Sequence, residues 1–291
     1  MAEITLLDGG MGQELIHRSG DTPTPLWSTR VMVDRPGLVA EIHRDFAAAG
    51  ATVSTTNTYA ILRDRLEGTD VEDQFEALYA RALDEASGTA PRIAGAIGPI
   101  GASYRPDLHP DAETAVSIYT EIVRQLAPSV DILLYETVSS IAHARDALDA
   151  ARGSGKPVWI SVTVDDSDGG VLRSGEPVAD VLSVTDGAAA LLVNCSTPEV
   201  IPAALAALKT APVPIGAYAN GFEQISDGFL GTKPTVDTLT ARRDFTPALY
   251  ADHVMGWVAA GATIVGGCCE VSPAHIAEIA RRLRDAGHTI V

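Results

Sequence analysis

The sequence predicts an α/β protein that folds as a single (β/α)₈ TIM barrel over residues 1–291. Short β-rich runs alternate with longer helical patterns along the chain and give eight strand–helix units. Several strand candidates are almost wholly apolar, as expected when helices cover a parallel sheet. A chain of 291 residues, 46% of them hydrophobic, can bury the core of one large domain.

The predicted strands follow one another at regular intervals, at 4–7, 52–57, 93–97, 131–135, 158–164, 189–193, 214–219 and 263–265. Each is followed by a predicted helix, at 35–49, 71–86, 112–126, 141–151, 178–184, 199–208, 246–260 and 272–286. Three helix starts are marked by a capping hydroxyl before a proline, at Thr197-Pro198, Thr246-Pro247 and Ser272-Pro273. Glycines at 50, 261 and 287 stand where helices are expected to end.

A doubly wound open sheet is the competing architecture. The dinucleotide-binding pattern G-x-G-x-x-G is missing after the first strand, where the chain reads Gly9-Gly10-Met11-Gly12. This weakens a Rossmann interpretation and leaves an open sheet as the alternative. The longest irregular stretch, 220–243, is rich in Gly, Thr and Asp, and in a barrel it forms the loop after the seventh strand.

The charge of the chain limits its partners. A formal net charge of −17 repels phosphate backbones and anionic membranes, so neither nucleic acid nor a membrane is an expected partner. No apolar run reaches the roughly 18 residues needed to span a bilayer. The N-terminal residues show no signal-peptide pattern. We therefore expect a soluble, cytoplasmic protein that acts on small molecules.

Distinctive polar residues stand at the carboxyl ends of the predicted strands. In barrels this end carries the catalytic residues. The residues are Asp8, Thr56, Asn57, Glu136, Asn194, Cys195, Cys268 and Cys269.

The chain has only three cysteines, and two of them are adjacent. Three thiolates can bind Zn²⁺ tetrahedrally and leave one position open. Adjacent side chains of a strand point in opposite directions, so Cys268 and Cys269 can reach one ion only where the backbone leaves the strand. Gly266 and Gly267 would permit that turn. The alternative is that these cysteines are small core residues without a ligand.

The motifs, taken together, resemble the homocysteine S-methyltransferase family, the zinc-dependent thiol and selenol methyltransferases of the S-methylmethionine type. The resemblance covers about residues 4–286. Its most specific part is the cysteine trio. The motifs are Asp8-Gly9-Gly10-Met11-Gly12, Thr56-Asn57-Thr58-Tyr59, Gly98-Pro99, Glu136-Thr137, Val193-Asn194-Cys195 and Gly266-Gly267-Cys268-Cys269.

The resemblance implies a homocysteine-binding barrel with zinc as cofactor. Its implied metal ligands are Cys195, Cys268 and Cys269, with no catalytic residue beyond the metal site. It also implies that Asp8 and Glu136 receive the amino group of homocysteine, with Thr56 and Asn194 helping to position the substrate. The chain departs from the family pattern at Glu270, and in loops 100–110 and 220–243 that would face the methyl donor.

The implied reaction moves a methyl group from a small sulfonium donor, S-methylmethionine or S-adenosylmethionine, to the homocysteine thiol and gives methionine. Betaine as donor, another thiol acceptor and a non-catalytic zinc-binding barrel are the alternatives. A barrel hydrolase or lyase with core cysteines is a further one. We expect a monomer or a simple homodimer.

Overall fold

The fold was analysed in a computed structural model that describes residues 1–22, 24–231 and 238–291. Within these residues the strands form a nine-stranded sheet in the order β2-β3-β4-β5-β6-β7-β8-β1-β9. All strand pairs are parallel. The strands are β1 Glu3–Leu6, β2 Val53–Thr55, β3 Arg92–Ile97, β4 Ile132–Val138, β5 Val158–Val162, β6 Ala190–Asn194, β7 Ile215–Tyr218, β8 Ile264–Val265 and β9 Thr289–Ile290.

The sheet closes on itself between β1 and β2. Leu7 and Val53 form a parallel bridge, and the Thr52 amide donates a hydrogen bond of 2.7 Å to the Leu6 carbonyl. The first strand therefore contacts both the second and the eighth, as a closed barrel requires. The barrel prediction is confirmed, and the open-sheet alternative is wrong.

Ten α-helices are present in the described ranges, mostly on the outside of the barrel. The prediction missed α1, α2 and α4, and also strand β9. The helices are α1 Met11–Ser19, α2 Ser28–Asp34, α3 Leu38–Ala49, α4 Arg63–Leu66, α5 Phe75–Ala86, α6 Ala112–Leu126, α7 Ile141–Ala151, α8 Ile201–Leu208, α9 Pro247–Ala259 and α10 Pro273–Asp285.

Two of the three predicted helix starts are confirmed. The Thr246 hydroxyl accepts a hydrogen bond of 3.2 Å from the Leu249 amide, and Ser272 forms a capping box with His275. The third is wrong, because the chain after Thr197 makes turns and α8 begins only at Ile201. The helix predicted at 178–184 is a 3₁₀ helix, Val178–Ser183.

The apolar residues form two separate cores. One fills the layer between the strands and the helices. The other fills the inside of the barrel and includes Leu134, Trp159, Leu192 and Tyr218. Tyr218 lies at the carboxyl end of β7, so the packed interior extends up to the face where the site residues lie. Among the described residues, no helix combines the length and apolar character needed to cross a bilayer.

Candidate active site

The three cysteines come together at the carboxyl end of the barrel. Cys195 follows β6, and Cys268 and Cys269 follow β8. Their sulfur atoms all lie within 4.8 Å of one another. Cys195 and Cys268 are paired sulfur to sulfur, with Cα atoms 6.0 Å apart, and Cys269 carries a free thiol. Residues separated by 73 positions in the sequence thus share one site.

The backbone leaves both strands at the cysteines. Cys195 has a φ of 48°, in the left-handed region that non-glycine residues rarely adopt. The segment after β8 is held by hydrogen bonds to two neighbouring loops: the Gly267 amide donates to the Asp8 carbonyl at 2.9 Å, and the Cys268 amide to the Ala219 carbonyl at 3.0 Å. The cysteine side chains are thereby fixed by the ends of β1, β7 and β8.

The two glycines before the cysteines serve close packing. Neither Gly266 nor Gly267 has a positive φ. Glycine is therefore not required at these positions for an unusual backbone turn, as the sequence had suggested. A Cβ atom on Gly267 would lie 2.0 Å from a methyl carbon of Val271, and one on Gly266 would lie 2.5 Å from the Leu7 Cβ. The chain can approach β1 and fold back on itself only without these side chains.

The cysteine cluster fits a tetrahedral metal ion. Sulfur atoms bound to one zinc ion at about 2.3 Å lie about 3.8 Å apart. The observed limit of 4.8 Å allows this arrangement after a small shift of the side chains. Thiolate is a soft donor that suits zinc, and binding requires Cys195 and Cys268 in the reduced form. The assignment of these residues as ligands stays a prediction.

Two carboxyl groups lie beside the cysteines in the same cavity. Asp8 is 2% exposed and accepts hydrogen bonds of 2.7 Å from both the amide and the hydroxyl of Thr55. Burial raises its pKa from 3.8 to about 7, and the bonds from Thr55 oppose this shift. Burial likewise raises the pKa of Glu136 to about 8; the hydrogen bond from Tyr218 opposes the shift, and the charge of Asp8 adds to it.

No cation among the described side chains neutralises this pair. His43 is fully buried with Nδ1 3.9 Å from the Asp8 carboxylate, but burial lowers its pKa to about 3. The imidazole is therefore neutral at pH 7. A positively charged group entering the cavity would relieve the electrostatic cost of Asp8 and Glu136 together.

The two remaining predicted site residues have protein partners. The Thr56 hydroxyl lines the cavity and accepts a hydrogen bond of 3.1 Å from the Ala96 amide. Asn194 is 1% exposed and is not part of the cavity wall. Its side-chain oxygen accepts hydrogen bonds from the Thr137 amide at 3.0 Å and the Ser161 hydroxyl at 2.9 Å. Direct contact of Asn194 with substrate stays a prediction; the contacts seen hold Thr137 in place.

A cavity of about 550 Å³ opens above these groups. Its wall is rich in aromatic residues that the sequence interpretation did not single out. The rings of Trp27 and Tyr59 meet edge to face at 6.2 Å, and those of Tyr104 and Phe229 at 5.9 Å. Part of the predicted loop 220–243 contributes Phe222, Phe229 and Leu239, while residues 232–237 of that loop lie outside the described residues.

Backbone strain is concentrated around the cavity. Among the residues that the structure describes, five non-glycine residues have a positive φ, and all of them stand at the carboxyl end of the barrel or in its loops. Such conformations are retained where the surrounding structure imposes them, often at functional sites. They are Trp27, Tyr104, Thr137, Cys195 and Glu270.

A hydrogen-bonded chain ties the cysteine loop to the aromatic wall. The Gln13 side chain donates a hydrogen bond of 2.5 Å to the Glu270 carboxylate and accepts one of 3.2 Å from the Trp27 indole. Glu270 follows the cysteine pair, at a position where the sequence departs from the family pattern. Glu270 therefore has a structural role, because its hydrogen bond to Gln13 holds α1 and Trp27 against the cysteine loop.

Comparison with known proteins decides the family. A family model described as homocysteine S-methyltransferase matches residues 5–283. The chain belongs to the homocysteine S-methyltransferase family. The prediction of an enzyme of this class is thereby confirmed.

Individual relatives of this homocysteine S-methyltransferase family member match along nearly their whole length. A homocysteine S-methyltransferase of Escherichia coli is 30% identical, over 96% of this chain and 95% of the relative. A homocysteine S-methyltransferase of Bacillus subtilis, YbgG, is 27% identical, over 95% and 93%. The crystal structure of the E. coli homocysteine methyltransferase MmuM in a metallated form superposes with a TM-score of 0.79 at 27% identity, over 96% of both chains.

Proposed function

We propose that this protein transfers a methyl group from a small sulfonium donor, S-methylmethionine or S-adenosylmethionine, to the thiol of homocysteine and so forms methionine. The observation that carries the proposal is that a cluster of three cysteine sulfurs and two carboxyl groups meet at one cavity, whose wall includes Cys268, Cys269, Asp8 and Glu136. Residues 1–291 act as one homocysteine-binding barrel domain. We further propose a cytoplasmic monomer or simple homodimer.

The cysteine cluster supports zinc as the cofactor, with Cys195, Cys268 and Cys269 as ligands. Three protein thiolates leave one position of a tetrahedral ion for a substrate. Zinc bound there would lower the pKa of the acceptor thiol, which is near 8.5 when free, so that it reacts as the thiolate. The metallated form of the E. coli relative supports a metal in this family fold.

Asp8 and Glu136 would bind the ammonium group of homocysteine. Asp8 is buried and Glu136 half-buried, and the two destabilise each other when charged, so an ammonium group between them is favoured over water. Thr55 and Tyr218 hold the two carboxylates in place by hydrogen bonds. With the amino group fixed at one end, the thiol end of the short substrate can point at the cysteines.

The aromatic wall would receive the donor. Aromatic faces attract sulfonium and quaternary ammonium cations. The acceptor sulfur attacks the donor methyl carbon, a new C–S bond forms, and the electron pair of the breaking C–S bond stays on the donor sulfur as a neutral thioether. The thiol proton passes to solvent. Attack of an anion on a cation reduces charge in the transition state, so the residues contribute mainly orientation and exclusion of water.

Two alternatives to this function can be distinguished by the same activity assay. Betaine, or another thiol or selenol acceptor, would use the same groups; a selenocysteine methyltransferase of Astragalus bisulcatus is 27% identical over 92% of this chain. A zinc-binding barrel without catalysis would show metal and no turnover.

Purified, zinc-loaded protein should be assayed for methionine formation from homocysteine with S-methylmethionine, S-adenosylmethionine and betaine in turn. We expect one equivalent of zinc and turnover with a sulfonium donor. Cys195→Ser should lose both, with an unchanged circular dichroism spectrum. Full activity of this variant, or of metal-free wild type, would overturn the proposal.

A further inference from the structure

One cation of the cavity wall, Arg65, has no carboxylate partner among the described residues. Arg65 lies on α4, in the loop region after β2, and its side chain is half-buried. Its guanidinium donates a hydrogen bond of 3.2 Å to the Pro99 carbonyl and stands 5.6 Å from the centre of the Tyr59 ring. Within the described part of the chain it makes no ion pair, so most of its five N–H donors lack a protein acceptor.

The neighbouring arginines behave differently. Arg30 also lines the cavity but is held by the carboxylates of Asp34 and Asp70, at 2.7 and 2.8 Å. Arg63, two residues before Arg65, is held by Glu76 and Glu121 at 2.9 and 2.7 Å and does not line the cavity. The protein carries 38 acidic residues against 21 basic ones, so carboxylates are plentiful. The guanidinium of Arg65, at the cavity wall, is therefore able to bind an anion that enters the cavity.

Tyr59 connects Arg65 with the inner part of the site. Its hydroxyl is 2.7 Å from the Ser103 hydroxyl, and its ring packs against Trp27. Burial raises the pKa of Tyr59; the positive charge of Arg65 lowers it and the carboxylate of Glu136 raises it, so the phenol lies within the fields of both groups. Tyr59 is thus close both to Arg65, on the partly exposed α4, and to Glu136, on β4.

We infer that Arg65 binds the carboxylate of the methyl donor, which makes the donor a small onium compound that itself carries a carboxylate. This inference rests on the proposed function and assigns a residue that holds the donor. A guanidinium forms paired hydrogen bonds to a carboxylate with matching geometry. With the carboxylate at Arg65, the onium centre of such a compound lies against the aromatic rings, and its methyl group faces the floor where the acceptor sulfur lies.

The acceptor also carries a carboxylate, but the floor residues account for its orientation. Asp8 and Glu136 hold the acceptor amino group at the bottom of the cavity, whereas α4 belongs to the rim, where Arg63, Asp64 and Glu67 are exposed. A carboxylate held at the rim fits the second substrate better than the first.

The test compares S-methylmethionine with its carboxamide, which keeps the sulfonium and lacks the negative charge. Wild type, Arg65→Gln and the matched control Arg63→Gln are titrated with each compound by calorimetry, and kcat and KM are measured for both substrates. We expect R65Q to weaken S-methylmethionine binding about 10- to 100-fold, to leave carboxamide binding unchanged, and to leave the KM for homocysteine unchanged. R63Q should bind both compounds as wild type does. Arg65→Lys should recover part of the loss, because it keeps the charge without the planar fork.

Each contrary outcome points to one error. If R65Q loses affinity for both compounds equally, Arg65 only supports Pro99 and Tyr59. If only the KM for homocysteine increases, Arg65 binds the carboxylate of the acceptor. Either result overturns the inference. If R65Q turns over S-methylmethionine normally, the inference fails and the proposed function stands. If wild type forms no methionine but binds S-methylmethionine through Arg65, the proposed function fails, and Arg65 is left as a carboxylate-binding residue without a part in methyl transfer. Wild type that binds neither compound overturns the inference, and the proposed function then requires turnover with S-adenosylmethionine.

Discussion

The hydroxyl group of Tyr218 donates a hydrogen bond of 3.0 Å to the carboxylate of Glu136. Tyr218 is 2% exposed and belongs to the apolar interior of the barrel, while Glu136 faces the cavity. The bond thus joins the packed core to a charged group of the candidate site. It also stabilises the charged form of Glu136 against the effect of burial.

Tyr218→Phe should weaken homocysteine binding without altering the methyl transfer itself. Loss of the hydrogen bond raises the pKa of Glu136, so less of the enzyme carries the carboxylate needed to bind the ammonium group. We expect the KM for homocysteine to rise about tenfold at pH 7, with kcat little changed. Steady-state kinetics at several homocysteine concentrations measure both.

A matched control for this substitution is Tyr79→Phe. Tyr79 is also buried and donates a hydrogen bond of 2.9 Å, to the Ile61 carbonyl, but it does not line the cavity. Its loss should affect stability and leave the KM unchanged. A Y218F enzyme with the wild-type KM at every pH would contradict a substrate-binding role for Glu136.

The pH dependence of kcat/KM for homocysteine follows from the same two carboxyl groups. Asp8 and Glu136 have pKa values of about 7 and about 8 in the free protein. Both must be ionised to bind an ammonium group, so kcat/KM should increase as pH rises from 6 to 9. In Asp8→Asn the lower of the two steps should disappear. A profile that is flat over this range in wild type would show that neither group titrates during binding.

Asp8 should also lower the stability of the ligand-free protein at high pH. Its folded pKa is raised above the unfolded value of 3.8, so the folded state holds the proton more tightly. The resulting stabilisation is fully present below pH 3.8 and is lost as pH rises through about 7. Asp8→Asn should therefore be more stable than wild type at pH 8, by on the order of a few kcal/mol, and equally stable at the acid end. Urea denaturation at several pH values from about 4 to 8 measures how the difference grows.

Asp111 offers the opposite case as a control. It caps α6 by accepting a hydrogen bond of 3.0 Å from the Thr114 amide, which lowers its pKa. Its stabilisation is present above the unfolded pKa and is lost as pH falls, so Asp111→Asn should be less stable than wild type at pH 8. If both substitutions changed stability in the same direction at this pH, burial would not be the cause of the Asp8 effect.

Much of the barrel could be predicted because its signals are local. Helices α6 and α7 begin and end where the sequence pattern placed them, and both start at a side-chain cap, Asp111 and Ser140. The approach of Cys195 to Cys268 followed from barrel geometry, since residues that end alternate strands meet across the mouth. The predicted strand at 131–135 was too short, as β4 continues through Glu136 to Val138.

The missed parts depend on contacts that are distant in sequence. Helix α1 has no side-chain cap at Gly10, and α2 begins after Trp27 in a strained conformation that its contacts with Gln13 and Tyr59 maintain. Strand β9 has two residues and exists only because β1 is beside it. The unpaired state of Arg65 was equally invisible, because a sequence does not show which carboxylates an arginine reaches.

Gly267→Ala tests whether the cysteine loop owes its shape to close packing. The added methyl group would lie 2.0 Å from the Val271 side chain, so the loop that carries Cys268 and Cys269 must move. We expect a loss of about 1–3 kcal/mol in the free energy of unfolding and a marked loss of metal binding. Adding Val271→Ala removes the two methyl carbons at 2.0 and 2.8 Å but leaves the Val271 Cβ at 2.4 Å, so it should restore only a minor part of both. Gly256→Ala is the control: it lies in α9 with no atom within 4 Å of the new Cβ, and it should stabilise the protein by about 0.5–1 kcal/mol. Metal content and urea denaturation are measured for the wild type and the three variants. Unchanged metal binding in the single Gly267→Ala variant would show that the cysteine loop does not depend on close packing at Gly267.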